Sequence, residues 1–249
     1  MTIDTASSQT LEHSHTPAAI QQRLSAGPQH SYLRDWVYGG IDGAVTTFAV
    51  VSGAVGGALG HEVILILGAA NLIADGFSMA ASNFSGTRAE AEELRRIWQI
   101  EARHIEVAPE GEREEVRQIY QAKGFEGVEL DRAVAVITSD RDRWIETMIQ
   151  DEYGMAKEVR SPLRAALSTF AAFGVCGAVP LAPYLLHLSH AFELSIVLTV
   201  VTFFLVGAAK SMWLTSPWWR SAVETAVLGS AAAGLSYLIA GLVRQFFGA

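Results

Sequence analysis

Residues 36–59 read WVYGGIDGAVTTFAVVSGAVGGAL, and residues 63–84 read VILILGAANLIADGFSMAASNF. At about 1.5 Å per helical residue, each run is long enough to cross the roughly 30 Å hydrocarbon core of a bilayer. Because only three residues separate them, the two runs predict a hairpin of membrane-spanning helices. Further apolar runs at residues 163–188, 192–209 and 222–243 bring the predicted number of spans to five.

The charged residues are concentrated between the second and third apolar runs. Residues 86–160 hold 18 of the 26 acids and 12 of the 18 bases, although only 18% of the whole chain is charged and its mean hydropathy is +0.25. This composition excludes intrinsic disorder as the main state, and the net charge of −8 excludes a basic nucleic-acid binder. A single cysteine, Cys176, excludes a disulfide scaffold. The sequence therefore predicts an all-α membrane protein with five transmembrane helices and one charged, water-facing insert between helices 2 and 3.

The distribution of lysine and arginine predicts the orientation of the chain. Seventeen of the 18 basic residues fall on the side that holds the N-terminus, the insert and the fourth connection, and Arg244 alone falls on the other. Under the positive-inside rule, the N-terminus and the insert are then cytoplasmic. The expected order is a disordered cytoplasmic tail (1–32), transmembrane helices 1 and 2 (33–85), the cytoplasmic helical insert (86–160) and transmembrane helices 3 to 5 (161–249).

The N-terminal tail is polar and contains His13, His15 and His30. Three histidines can bind a metal ion, but histidines in a polar tail are more often solvated, and we favour that interpretation. The tail lacks the apolar core of a signal peptide. Arginine outnumbers lysine 15 to 3, and with no targeting segment visible this favours a bacterial plasma membrane.

The insert is expected to contain three helices, the first continuing span two to about residue 107, the second over residues 109–124 and the third over residues 129–153. In each helix the apolar stripe, with its three- and four-residue steps, leads onto ionisable or sulfur-bearing side chains. These residues are Glu101 and His104 in the first helix, Glu112 and Glu115 in the second, and Met148 and Glu152 in the third.

Several acids converging from three helices predict a bound cation, because a lone buried carboxylate is costly unless it is paired. Carboxylates together with an imidazole suit Fe²⁺, Mn²⁺ or Zn²⁺. The alternative is that Glu112 and Glu115 are first-turn acids that complement the helix dipole, with Glu101 and Glu152 on solvated flanks. Met148 and His104, taken singly, fit packing as well as they fit ligation. Spacing alone leaves both interpretations open.

Two acids interrupt the first two apolar runs. An intramembrane carboxylate costs on the order of 2.5–3.5 kcal/mol to insert and usually faces a partner or a cavity. Asp42 lies among glycines that permit close helix approach, and Thr46 follows one turn later. Asp75 and Met79 share a helix face, and a carboxylate beside a thioether suits a softer transition ion better than Mg²⁺ or Ca²⁺. The alternative is a structural Asp42–threonine hydrogen bond with Met79 facing lipid.

From about residue 33 to residue 243 the chain resembles the vacuolar iron transporter family. The resemblance is carried by DWVYGGIDGAVTTFAVVSGAVGG (35–57), ANLIADGFSMAASNFSG (70–86), the Glu-rich insert and GAAKSMWLTSPWWRSAVETAVLGSAAAGLSYLIAG (207–241). It implies a five-span homodimer that exchanges cytosolic Fe²⁺, or Mn²⁺ and other divalent ions, for protons. It assigns the transmembrane path to Asp42 and Met79. It assigns metal collection in the insert to Glu101, Glu112, Glu115, Met148 and Glu152.

The chain departs from the family pattern in three places. His104 stands where relatives usually carry a second glutamate, which would change metal affinity or preference. The sequence Ser82-Asn83-Phe84 replaces a frequent Gly-Glu-Tyr and removes one carboxylate. Ile149 follows Met148 where relatives often have paired methionines, so only Met148 is carried over.

The expected function is Fe²⁺/H⁺ antiport that moves ferrous iron out of the cytoplasm, with no prosthetic group and no enzymatic step. A proton that reaches Asp42 from the far side would neutralise the carboxylate and release the metal. One alternative is a manganese or broad divalent-metal exporter. Alternatives of another class are a metal sensor and a membrane-anchored ferroxidase, for which Glu101-Ala-Arg-His104 supplies only one of the usual two Glu-x-x-His motifs.

The expected partners are the lipid bilayer, a second copy of the chain, divalent metal ions and protons, with no nucleic acid. The expected location is the bacterial inner membrane, or the vacuolar membrane in a eukaryote.

Overall fold

The computed structural model describes residues 14–26, 31–156, 159–212 and 217–247, and nearly all of them are helical. The helices are α1 (Pro17–Ser25), α2 (Leu33–Gly56), α3 (His61–Val107), α4 (Pro109–Ala122), α5 (Gly127–Thr138), α6 (Arg141–Asp151), α7 (Pro162–Ala178), α8 (Ala182–Leu185), α9 (Ala191–Lys210) and α10 (Trp218–Phe247), with a 3-10 turn (Val179–Leu181) between α7 and α8.

Within these described residues, five helical segments are long and apolar enough to cross a membrane. They are α2, the first part of α3, the stretch Pro162–Leu185 formed by α7 and α8, α9 and α10. The prediction of five spans from the apolar runs is confirmed by length and composition. The third span is interrupted by the 3-10 turn, in a stretch where Pro180 and Pro183 have no backbone N–H to donate.

Helix α2 lies at the centre of the apolar bundle because its glycines let a neighbouring backbone approach. A Cβ atom on Gly39 would collide with the carbonyl oxygen of Thr169 in α7, and one on Gly43 would collide with that of Phe173. Only glycine permits these contacts, as the sequence predicted from the glycines around Asp42. The two helices therefore run side by side in the same direction, and α3 runs antiparallel to both.

Helix α3 continues far beyond its apolar part. Its 47 residues correspond to about 70 Å, more than twice the thickness of a bilayer core. No proline interrupts it before Pro109, where α4 begins. The prediction that span two continues unbroken to Val107 is confirmed, and the helix physically joins the apolar bundle to the charged segment, residues 86–160.

The charged segment contains one helix more than predicted. The sequence predicted a single third helix over residues 129–153, whereas the structure has α5 and α6 with a break at Ser139–Asp140. Asp140 accepts a hydrogen bond from the backbone N–H of Arg143 (2.8 Å) and so caps the start of α6. The expectation of three helices was therefore wrong, because a local side-chain cap competes with continuation of the helix.

Residues 1–31 group apart from residues 32–249, and the structure describes residues 14–26 and 31 of this N-terminal unit. Its described part contains α1, whose Thr16 side chain caps the first turn and whose Pro17 suits the first helical position. The disordered tail over residues 1–32 stays a prediction, and α1 is the helix that the structure describes within it. His15 is among the described residues, whereas His13 and His30 lie outside them.

Candidate metal centre

Three ionisable side chains converge where the charged end of α3 meets α4. Glu101 and His104 are one turn apart on α3, and Glu112 comes from the first turn of α4. One ligand atom from each lies within 4.8 Å of the others. The Nδ1 atom of His104 is 3.3 Å from Glu112 Oε1 and 3.7 Å from Glu101 Oε1. The structure therefore brings together two carboxylates and an imidazole from two of the predicted helices.

The two carboxylates of this cluster are buried but not fully paired. Glu101 is 1% exposed and Glu112 is 4% exposed. In the part of the chain that the structure describes, their Oε2 atoms have no hydrogen-bond partner. Tyr153 donates a hydrogen bond to Oε1 of Glu101 (2.9 Å). Because buried carboxylate oxygens without partners are rare and costly, the cluster is chemically prepared to receive a cation.

Electrostatic repulsion extends the acidic cluster to Glu115 and Glu152. Burial, followed by the charges of Glu101, Glu115 and Glu152, raises the pKa of Glu112 to about 7. Burial and the charges of Glu101 and Glu115 also raise the pKa of Glu152. Glu115 and Glu152 are themselves exposed, so they lie at the rim. A divalent cation would relieve the repulsion among all four carboxylates.

Met148, the predicted sulfur ligand of the charged segment, packs in an apolar core. Its side chain is fully buried in an apolar core that includes Val116 of α4, Leu130 of α5 and Trp144 of α6. This surrounding agrees with the packing interpretation of Met148 offered from the sequence.

A second polar region lies within the apolar bundle around Asp42, which is half-buried on α2. Thr46 donates a hydrogen bond to the backbone carbonyl of Asp42 (2.9 Å), so the hydroxyl does not satisfy the carboxylate. On α3, Asp75 is exposed and close enough for its charge to act on Asp42. Met79 follows one turn later and is half-buried. The predicted path residues therefore lie on two adjacent helices.

At the end of the bundle nearest the charged segment, a buried carboxylate was missed from the sequence. Asp35 is 5% exposed and accepts hydrogen bonds from Arg160 at both oxygens (3.1 and 2.9 Å). Asn83 donates from its amide to Asp35 (3.0 Å) and to Thr169 (2.8 Å). Helical periodicity contained a usable signal, since Asp35 precedes Asp42 by seven residues and Asn83 follows Met79 by four.

Beyond Asp42, towards the other end of the bundle, an amide bridges two threonines. Asn71 of α3 donates to the hydroxyl of Thr46 (3.3 Å) and to that of Thr47 (3.2 Å) in α2. Asn71 was also missed from the sequence, because one amide in a long apolar run has no periodic signature. The contact ties α2 to α3 at a third position.

Together these contacts define a polar seam, a row of polar side chains along the boundary between α2 and α3. From Asp35 to Thr47 the seam covers 12 residues of α2, or about 18 Å, of the roughly 30 Å apolar core. Polar side chains at this depth usually line a path or pair with one another. The seam comprises Asp35 facing Asn83, Asp42 near Asp75, and Thr46 and Thr47 facing Asn71.

Comparison with known proteins identifies relatives along most of the chain. The sequence profile of the VIT family matches residues 33–241, which include the first four apolar spans, most of the fifth and the charged segment. Vacuolar iron transporter 1 of Arabidopsis thaliana is 29% identical over 240 residues, covering 95% of this chain and 93% of the relative. The vacuolar iron transporter of Toxoplasma gondii is 29% identical over 230 residues, covering 88% and 76%. Vacuolar iron transporter 1 of Eucalyptus grandis is 27% identical over 216 residues, covering 86% and 87%.

Proposed function

This chain belongs to the VIT family, and from that premise we propose that it moves divalent metal ions, Fe²⁺ foremost, out of the cytoplasm in exchange for protons. The observation that supports the proposal is the polar seam, in which Asp42 lies within an apolar span and the charge of a second acid, Asp75, acts on it. A carboxylate there lowers the energy of a dication in a low-dielectric medium. A structural role alone gives no reason to keep this charge.

The charged segment, in this proposal, is cytoplasmic and collects the ion. Seventeen of the 18 basic residues lie on its side of the membrane, which supports that orientation. Glu101, His104 and Glu112 offer two carboxylates and an imidazole, a donor set that suits Fe²⁺, Mn²⁺ and Zn²⁺. Glu115 and Glu152 at the rim raise the local concentration of cations. We keep Met148 as a soft ligand of the ion.

The ion then passes along the seam to Asp42 and Met79, with Asp75 and Thr46 as additional groups on the path. Protonation from the far side neutralises Asp42, and a protonated carboxyl group is a poor metal ligand. The metal is released there, and the proton leaves to the cytoplasm when the next ion arrives. No covalent step is needed, so we expect no enzymatic activity.

We propose that the working unit is a homodimer. Asp75 is exposed on α3 at lipid depth, where a bare carboxylate is unfavourable. The same part of α3 also exposes Ile73 and Phe77. A second copy that covers this face would bury the apolar groups and supply neutralising contacts for Asp75. We place the protein in a bacterial inner membrane, or in a vacuolar membrane in a eukaryotic cell.

Reconstitution tests the proposal directly. Sealed liposomes containing the full chain, a metal-sensitive dye and a pH-sensitive dye should report inward Fe²⁺ flux coupled to outward proton flux. Asp42→Asn removes the negative charge that offsets the cost of a dication at lipid depth. That cost is about 3 kcal/mol per charge, so flux should fall about 100-fold. Asp131→Asn, a surface carboxylate in the charged segment, should leave flux unchanged. Undiminished flux in Asp42→Asn would refute the mechanism.

The same vesicles separate the alternatives. A clear preference for Mn²⁺ over Fe²⁺, Co²⁺ and Zn²⁺ would replace iron as the cargo. Oxygen consumption on Fe²⁺ addition, without transmembrane flux, would indicate a ferroxidase that uses Glu101, His104 and Glu112. Metal binding with neither flux nor oxidation would indicate a sensor.

A further inference from the structure

Histidines gather at the end of the bundle opposite to the charged segment. His61 is the first residue of α3, just after the end of α2, while His187 and His190 lie in the turn between α8 and α9. Neither the predicted metal ligands nor the polar seam includes these residues. In the proposed topology this end is where a transported ion leaves the protein.

The rings of His61 and His187 are stacked. Their centroids are 5.5 Å apart, and the ring planes differ by 20°. The carbonyl oxygen of Tyr184 links the two residues, since it accepts from Nε2 of His61 (2.8 Å) and from the backbone N–H of His187 (3.1 Å). One acceptor with two lone pairs thus holds α3 and the turn in register.

Backbone carbonyls also determine which ring nitrogens remain available. A carbonyl oxygen only accepts, so Nε2 of His61 carries the proton in its bond to Tyr184. Likewise, Nδ1 of His187 carries the proton in its bond to the carbonyl of Leu185 (3.1 Å). In neutral rings, Nδ1 of His61 and Nε2 of His187 therefore keep their lone pairs. Neither atom takes part in a hydrogen bond among the described residues.

This arrangement is the one that metal-binding histidines use. Such residues generally donate the second ring N–H to a carbonyl or carboxylate, which fixes the tautomer and directs the other nitrogen at the ion. Coordinating nitrogens on one tetrahedral ion are on the order of 3.3 Å apart, as two bonds of about 2.0 Å require. The two stacked rings share one ion only if a ring turns, and the exposed side chain of His187 can do so.

We propose that His61 and His187 form an exit site for a divalent transition metal at the far end of the bundle. The imidazole pair suits Fe²⁺, Co²⁺ or Zn²⁺ and discriminates against Mg²⁺ and Ca²⁺, which prefer oxygen ligands. Water completes the coordination shell. Two protein ligands bind more weakly than the cluster at Glu101 and Glu112, and weak binding is what a release step requires.

The role of this site in metal release rests on the proposed function, but the experiment that tests metal binding does not require transport. We would measure Co²⁺ binding to the tag-free, detergent-solubilised full chain by equilibrium dialysis and by the visible absorption of the ion. The parent chain would carry Glu101→Gln and Glu112→Gln, so that the stronger cluster does not mask the weak site. No membrane gradient or flux enters the measurement.

His187→Ala should remove one bound Co²⁺ per chain, or weaken its binding at least about tenfold, and His61→Ala should do the same. His187 is exposed, so its replacement keeps the fold even if His61→Ala does not. His190→Ala is the matched control, because His190 lies in the same turn but pairs with Glu193 (3.8 Å). Histidines of the N-terminal unit are present in every variant, so any Co²⁺ that they bind does not affect the difference between variants.

Equal Co²⁺ binding by parent and His187→Ala would overturn the exit site, as would an equal loss in His190→Ala. Either result leaves the transport proposal intact if Asp42→Asn still abolishes flux in vesicles. Conversely, loss of Co²⁺ in His187→Ala together with undiminished flux in Asp42→Asn would retain the site and refute the proposed path.

Discussion

Asp35 in the polar seam and Glu112 in the charged segment are buried to the same extent, 5% and 4% exposed, yet they are neutralised in different ways. Asp35 receives Arg160 on both oxygens and the amide of Asn83 on one. Glu112 faces other carboxylates and leaves one oxygen without a hydrogen bond among the described residues. The first site is neutralised by a cation that belongs to the chain, and the second has no such partner, which is why we propose that it takes a cation from solution.

This contrast gives Arg160 a defined place in the proposed mechanism. Asp35 lies two turns before Asp42 on the same face of α2, so an ion moving from the charged segment to Asp42 passes it. Arg160 belongs to the stretch that returns from the charged segment to α7. The guanidinium of Arg160 pairs with the carboxylate of Asp35, which such an ion would reach before Asp42.

Breaking the Asp35–Arg160 pair should have the largest effect on stability. Arg160→Ala leaves a buried carboxylate uncompensated, which should cost about 3 kcal/mol of unfolding free energy and lower the thermal transition in detergent. Adding Asp35→Asn removes the charge that Arg160 neutralised, so the double variant should unfold at a higher temperature than Arg160→Ala alone. A single variant as stable as the parent would show that the pair is not needed in the fold.

Neutralising the acidic cluster should raise the stability of the metal-free chain instead of lowering it. Glu101→Gln with Glu112→Gln removes mutual repulsion, so the metal-free chain should gain thermal stability, while its affinity for Fe²⁺ or Mn²⁺ should fall about 10- to 100-fold. Glutamine at position 101 can still accept the hydrogen bond from Tyr153, so the variant loses the charge and keeps this hydrogen bond. Transition temperatures with metal and with chelator provide the measurement. Lower stability of the metal-free variant would contradict the repulsion argument.

The raised pKa of Glu112, about 7, predicts a pH dependence of intermediate size. The folded chain holds this proton more tightly than the unfolded chain, so metal-free stability should decrease as pH rises from about 4.5 to 7. Metal binding requires the carboxylate, so affinity should rise about tenfold between pH 6 and 8. Isothermal titration on the parent and on Glu112→Gln measures this. If metal affinity rises with pH equally in Glu112→Gln, the proton released on metal binding belongs to another group.

The sequence predicted the helices better than it predicted the contacts between them. Apolar run length predicts each span independently, and the missing proline predicts the continuous α3. The break between α5 and α6 was missed because Asp140 caps a helix through one local bond that leaves the apolar period unchanged. Cys176, interpreted from the sequence as an apolar packing residue, is buried in the core of α2, α7 and α9.

Site residues divide in the same way. Glu101 and Glu112 were predictable because a charged residue on an apolar stripe conflicts with the helix period. Arg160 was not, since it is 125 residues from Asp35 in the sequence and only the fold joins them. Asn83 was noted as a departure from the family pattern that removes a carboxylate. Its role as a donor to Asp35 and Thr169 became visible only in the structure.

The smallest effect is expected at Asn71, and it tests whether the seam is a path or only a structural contact. Asn71→Ala removes two hydrogen bonds to Thr46 and Thr47, each worth about 0.6 kcal/mol between membrane helices, so stability should fall by about 1 kcal/mol. Ser236→Ala is the control, because Ser236 donates to the carbonyl of Ala49 (2.6 Å) between α10 and α2, away from the seam.

If ions pass Asn71, its loss should slow Fe²⁺ flux in vesicles several-fold, whereas Ser236→Ala should change stability to a similar extent and leave flux alone. Equal flux in the two variants would limit the seam to the stretch between Asp35 and Asp42. The ion would then leave the α2–α3 boundary at Asp42, and Thr46, Thr47 and Asn71 would only hold the two helices together.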